Sequence, residues 1–268
     1  GRVHWKADPL LYPSHLRARV KRGRCLLQGA EYLPWLYIRD VPSRGTSLGG
    51  HGIVTGRPHQ GLSDLEATYL YLMERRESVI DIREQWPILD LDRTLELCTE
   101  LEVRHIYKRG LPEPFTIDFL ITELTADGKS YRAASVKTSE DAADPSKRLR
   151  LEVEHRWCQE RGIPWTLVDT SRFNKTLLEI LRFMRGWFRH RFNPETQLDP
   201  RFLLAFESVY KSNELLSELV ARLTKTLRLP NSQVLDMFRY CAWSGQIDIS
   251  LGHPLALNRP LFLNQKKR

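Results

Sequence analysis

The chain has 268 residues, 41 Lys+Arg against 33 Asp+Glu and a formal charge of +8, with 41% hydrophobic and 28% charged residues. That balance supplies apolar material for a sizeable core, allows one large domain or two smaller ones, and excludes an intrinsically disordered chain. The longest apolar runs, such as residues 202–206, fall far short of the roughly 18 residues of a membrane span, so a membrane partner is excluded. The first residue is Gly1 and no positive-then-apolar stretch follows it, which predicts no signal peptide and a chain that is trimmed, tagged or internal to a longer product. Cys25, Cys98, Cys158 and Cys241 stand far apart without a CxxC pair. Neither a zinc ribbon nor a disulfide framework is expected, and the reducing cytoplasm is the expected compartment. His51 and His59 match no metal-helix spacing and read as solvated loop histidines.

Residues 1–30 carry Arg2, Lys6, Arg17, Arg19, Lys21, Arg22 and Arg24 against Asp8 alone, which predicts an exposed basic N-terminal arm able to meet phosphate. Residues 32–41 (YLPWLYIRDV) read as an extended segment that Pro34 pushes to an edge, and 43–61 as a Gly-rich polar loop. Apolar residues at 65, 69, 72 and 73 predict a helix over 62–76. A short strand at 79–82, an apolar stretch at 86–91 and a helix or turn at 93–101 follow.

Residues 115–123 and 131–137 alternate with period two around Asp127-Gly128, the signature of a hairpin with a type I′ turn. Centring the ladder on that turn pairs Asp118 with Lys137, Phe119 with Val136 and Ile121 with Ala134. Asp118, Leu120, Ser135 and Lys137 then share one face. A helix is predicted over 146–161, stopped by Gly162 and Pro164, then a core strand at 164–168. The next helix, 175–192, has Leu177, Leu181, Met184 and Phe188 on one stripe and Arg182, Arg185 and Arg189 on another, which reads as a solvated basic face. A polar linker at 190–200 leads to helices at 201–211, 214–227 and 232–243, and residues 246–251 and 261–263 are placed to pair as a wing. The last helix carries only Arg239 as a base, which suits packing or a protein partner better than DNA reading. The fold class is therefore α/β: a mixed sheet flanked by helices, followed by a winged-helix-like domain at 201–268.

An acid and a lysine on one face of a central hairpin, with a second acid from a preceding helix, form the set that metal-dependent phosphodiester cleavage needs: carboxylates hold Mg2+ and the ammonium stabilises developing charge or orients water. Glu66, Asp118 and Lys137 are the candidates. Ser63-x-x-Glu66 is equally a helix capping box, and Asp118 opposite Lys137 is equally an ordinary cross-strand ion pair.

Six segments in order, LPWLYIRDVPS at 33–43, GLSDLE at 61–66, VIDIREQWPIL at 79–89, TIDFLI at 116–121, SVKTSED at 135–141 and LEVEHRWCQERGIPW at 151–165, resemble the TnsA family of transposon-end endonucleases. That family works beside the TnsB transposase and belongs to the restriction-endonuclease-like nucleases. The resemblance implies such a fold over 31–192, with Glu66 and Asp118 as metal ligands and Lys137 as the catalytic lysine. It also implies Mg2+-dependent cleavage of the 5′ ends of a transposon during cut-and-paste transposition, with two Mg2+ ions for which Mn2+ substitutes. The implied partners are transposon-end DNA, a TnsB-type transposase and a TnsC-type ATPase regulator. Restriction endonucleases usually place an acid two residues before the lysine and TnsA places Gln there; this chain has Ser135, which leaves the Ser135 side chain or the Val136 main-chain carbonyl to serve the metal. Glu154 falls on an acidic position of the family and reads as a surface helix glutamate. Two other readings remain open: a non-catalytic DNA-binding or assembly adaptor built on the winged helix, and a stand-alone restriction or repair nuclease.

Overall fold

The computed structural model of the chain describes residues 3–36, 51–59 and 61–266. The chain divides into two compact units, Gly1–Ser171 and Arg172–Arg268. In the first, α1 (Ser14–Lys21) precedes α2 (Asp64–Glu74), β1 (Val79–Pro87) and α3 (Leu91–Glu100). Then come the two-residue strands β2 (Tyr107–Lys108) and β3 (Leu111–Pro112), the long hairpin β4 (Thr116–Thr125) and β5 (Gly128–Val136), α4 (Ser139–Ala143), α5 (Pro145–Glu160) and β6 (Trp165–Val168). The main sheet runs β1-β4-β5-β6, antiparallel except for the parallel β5–β6 pair that α5 connects. Much of the expected extended segment at 32–41 and loop at 43–61 lies outside the described residues, and residues 32–36 form no strand.

The first thirty residues do not form an exposed arm. Val3, Leu16, Val20 and Cys25 are buried in one apolar cluster with Trp86, Leu120 and Trp157. The reason lies in the spacing: Leu16 and Val20, four apart on α1, face inward while Arg17, Lys21 and Arg22 face solvent. Arg24 is itself buried and donates from Nη1 to the Pro34 carbonyl at 2.6 Å, and Arg19 forms a bidentate pair with Glu113. This segment covers the free edge of β1, a place where unpaired backbone groups need partners. Trp35 N donates to Gln85 O, Tyr32 Oη to Glu84 O, and Trp5 Nε1 to Pro87 O. The positive surplus lies elsewhere: the first unit has twenty-five basic and twenty-five acidic residues, the second sixteen against eight.

The hairpin forms two residues away from the expected register. Phe119 pairs with Ala134, Leu120 with Ala133 and Thr125 with Gly128, so Ala126 and Asp127 make the turn. Neither has the positive φ a type I′ turn requires; Gly128 supplies it, at φ 103°. The short β2–β3 hairpin, which the sequence pattern did not announce, does turn through two positive-φ residues, Arg109 and Gly110.

The second unit contains α6 (Lys175–Arg189), α7 (Pro194–Gln197), α8 (Phe202–Val209), α9 (Leu216–Leu227) and α10 (Asn231–Trp243). The helix expected to close the catalytic domain is α6, and it belongs here because its apolar stripe packs on α10. The expected linker at 190–200 contains α7. Residues 249 and 263 meet in an isolated antiparallel bridge, as do 215 and 260, and among the described residues the expected two-stranded wing does not form. Among the described residues no helix is long and apolar enough to cross a membrane.

Because α1 belongs to the core, Leu16→Ala should destabilise the chain by about 2–5 kcal/mol. Urea unfolding followed by circular dichroism measures this, and wild-type stability would return the segment to the status of an arm.

Candidate active site

The β4–β5 ladder builds the site. Asp118 lies near the start of β4, on the face it shares with Leu120, Ala133 and Ser135, because a two-residue shift of register leaves every side chain on its face. Lys137 follows the last residue of β5. Its Nζ donates to Asp118 Oδ2 at 2.8 Å, and the Val136 N–H donates to the same oxygen at 2.7 Å. Oδ1 of Asp118 makes no hydrogen bond among the described residues. Thr170 Oγ1 donates to the Lys137 carbonyl at 2.6 Å and fixes the backbone there. Burial alone would lower the Lys137 pKa, but the neighbouring Asp118 charge raises it overall, so the ammonium keeps its proton.

Glu66 enters from α2. The capping box is real: Ser63 N donates to Glu66 Oε2 at 2.9 Å, and Glu66 N to Ser63 Oγ at 3.2 Å. The same carboxylate also faces the site, since its pKa is raised by burial and then by the charge of Asp118. The capping carboxylate is thus near enough to Asp118 to feel its charge.

Ser135 is fully buried, and its hydroxyl donates to Glu154 Oε2 at 2.7 Å. Glu154 is therefore no surface glutamate. It is buried on α5, and desolvation followed by the Asp118 charge pushes its pKa up to about 8, against weaker relief from Ser135 and Lys137. The signal was in the sequence: 151, 154, 157 and 158 are one helical stripe, and Leu151, Trp157 and Cys158 are its other members.

A second buried charged group steadies the approach to α2. Glu84, on β1, is fully buried and accepts from Arg57 Nη1 and Nη2, each at 2.7 Å, while His59 Nδ1 lies 2.8 Å from its Oε2. Arg57 also donates to the carbonyls of Gly29 and Ile82. His59, expected in solvent, is enclosed with Thr55, its Nε2 lying 3.0 Å from Thr55 Oγ1. Desolvation would raise the Glu84 pKa, but His59 and Arg57 hold it at about 2. The alternation Ile82, Glu84, Trp86 along β1 marked this carboxylate as inward-facing.

All potential donors at the site are oxygens: the carboxylates of Glu66, Asp118 and Glu154, the Ser135 hydroxyl and the Val136 carbonyl. That chemistry fits a hard divalent cation such as Mg2+. The pKa values of Glu66 and Glu154 are raised first by burial and then by the charge of Asp118, a repulsion that a cation would relieve. Among the described residues no three His, Cys, Asp or Glu side chains converge closely enough to hold a metal by themselves, so main-chain, water or phosphate oxygens would complete the shell.

The family match falls in this unit. The family model for the N-terminal domain of TnsA-like endonucleases matches residues 76–170. The transposition protein TnsA of transposon Tn7, from Escherichia coli, is 32% identical over 179 residues, covering 67% of this chain and 65% of that protein. The chain thus spans slightly less than two thirds of that relative's length.

Two pH responses follow. A buried acid with a raised folded pKa costs stability once its unfolded form ionises, so metal-free protein should lose stability as pH rises from about 4.5 to about 8 and then level off. In Glu154→Gln that component should vanish, a difference that denaturant melts across the range would detect. Glu84 acts oppositely: its contribution is present above pH 4.5 and should fade as pH falls toward about 2. The stability gap between wild type and Glu84→Gln should narrow over that interval, and a constant gap would exclude an ionised Glu84.

Proposed function

We propose that this chain, a member of the TnsA family, is a Mg2+-dependent DNA endonuclease that cleaves the 5′ ends of a transposon in concert with a TnsB-type transposase. The observation that carries the reading is the Asp118–Lys137 pair at 2.8 Å, held beside two carboxylates whose pKa values are driven up. An ordinary structural ion pair has no need of two further acids in a buried setting, where each uncompensated charge is costly.

In this reading Asp118, Glu66 and the Val136 carbonyl hold the cation, and Glu154 stands behind them on the Ser135 hydroxyl. The cation, when bound, supplies positive charge where a phosphodiester accumulates negative charge in its transition state. Lys137, kept protonated by Asp118, would add its positive charge beside the same phosphate and orient the attacking water. The Val136 N–H fixes the Asp118 carboxylate, so the donor geometry is set before DNA arrives. A TnsC-type ATPase regulator fits the same assembly. No basic DNA-reading helix is present in α10, whose single base, Arg239, is paired with Asp236 at 3.1 Å, so placement of the scissile phosphate falls to the transposase.

Asp118→Ala and Lys137→Ala should each reduce cleavage of transposon-end DNA, assayed with transposase and Mg2+, by more than about 100-fold, the scale of losing one preorganised charge-stabilising group. Melting temperatures should stay close to wild type. Near-normal cutting by either folded variant would remove the assignment, and efficient end-specific cutting by the chain alone would favour an autonomous nuclease.

A further inference from the structure

Beside Lys137 the first unit contains a cavity of about 350 Å³, and apart from Lys137 and Glu154 the cleavage mechanism does not use its lining. Its floor is apolar, made by Ile106, Phe115 and Leu151, and its rim carries Lys147 and Arg150 from the first turns of α5, with Lys137 at the end that meets the site. The floor is stiff. Phe115 is buried and takes the His105 ring edge-to-face at 5.0 Å, and Nε2 of His105 lies 2.9 Å from Thr94 Oγ1. Lys147 is neutralised by Asp141 at 2.5 Å, but Arg150 has no carboxylate partner among the described residues. Its charge reaches inward: burial first, and Arg150 with it, hold His105 below its ordinary pKa.

An apolar floor with a cationic rim suits a ligand that has a flat apolar body and a phosphate. The volume lies at the lower end of the range for small-ligand pockets, about 300–1,000 Å³, and so admits one nucleotide and no paired base step. Of the two acids in the lining, Asp141 is paired with Lys147 and Glu154 accepts from the Ser135 hydroxyl. We propose that this cavity binds a single unpaired nucleotide of the DNA strand being cut, its base against Phe115, Ile106 and Leu151 and its phosphate on Arg150. The proposal rests on the nuclease reading, because Lys137 and Glu154 line both the cavity and the cleavage site. Unpairing a base costs a few kcal/mol, least at a frayed or already single-stranded position, so the pocket would favour DNA that an assembly has opened beside the scissile phosphate.

The test uses the full chain with Ca2+ in place of Mg2+ to hold DNA uncut. Two fluorescent duplexes are compared, one blunt and one ending in a short single-stranded overhang with 2-aminopurine. Thr116→Phe narrows the cavity from its half-buried wall, and Arg150→Ala, at an exposed position, removes the phosphate partner without touching the core. Each variant should weaken overhang binding roughly 5- to 150-fold, the range for a lost base platform or charged contact, while blunt-duplex binding changes less than about twofold. Arg150→Lys should recover part of the loss. Parallel weakening on both duplexes, or wild-type overhang binding by both variants, overturns the proposal, as does equal competition by an acidic peptide. If wild type cuts transposon ends with Mg2+ and transposase but shows no overhang preference, the nuclease reading stands and the pocket assignment falls. If wild type neither binds nor cuts DNA, both fall.

Discussion

Alternation of side chains across the β4–β5 ladder is the constraint on which the site depends. The period is two, so a one-residue slip would turn Asp118 to the opposite face from Ser135, whereas the observed two-residue displacement keeps them together. With Ser135 opposite Asp118, Lys137 lies just past the end of β5, where its side chain turns back to Asp118 Oδ2 and the intervening Val136 N–H reaches the same oxygen. The Asp118–Lys137 pair is thus set by backbone pairing in the middle of a sheet. A loop-borne site would need its geometry re-established with each fluctuation; this one is as rigid as the ladder.

Two of the buried glutamates of the same unit, Glu84 and Glu154, have opposite fates. Glu84 is met by a bidentate guanidinium and a histidine, and its pKa falls to about 2. Glu154 is met by a hydroxyl, with a second carboxylate nearby, and its pKa rises to about 8. Desolvation is the largest single influence on both, so burial does not separate them; the charge of the neighbours does. Glu84 has its cation within the protein and ties residues 57–59 to the sheet just ahead of the α2 capping box. Glu154 has the Ser135 hydroxyl as its direct partner, and the charge of Lys137 is too weak an influence to offset burial and Asp118.

Period-two and period-3.6 patterns made the hairpin, α2, α5, β6 and the helices of the second unit legible in the sequence, because each buries one face. The register was not, since turn chemistry decides it: Asp127-Gly128 invites a type I′ turn, but the chain places Gly128 after the turn as the positive-φ residue. The basic residues of 1–30 hid the apolar spacing of Leu16 and Val20, and charge counting outweighed periodicity where periodicity was the physical driver. His59 and Glu154 were misplaced for a related reason. A polar side chain in a loop or helix is exposed by default, and only its partners, Glu84 in one case and Ser135 in the other, reveal that burial has been compensated.

Position 135 shows why the departure from the usual acid need not leave the site short of a carboxylate. Ser135 Oγ and Glu154 Oε2 are 2.7 Å apart, so an Asp or Glu at 135 would bring a second carboxylate into the space Glu154 already fills. Two carboxylates at that separation cannot both ionise, and Asp118 is close enough to raise Glu154 already. A hydroxyl resolves the conflict: it is small, neutral and a donor, so it orients the helix carboxylate instead of repelling it. Ser135 and Glu154 thus form one hydrogen-bonded unit that joins β5 to α5.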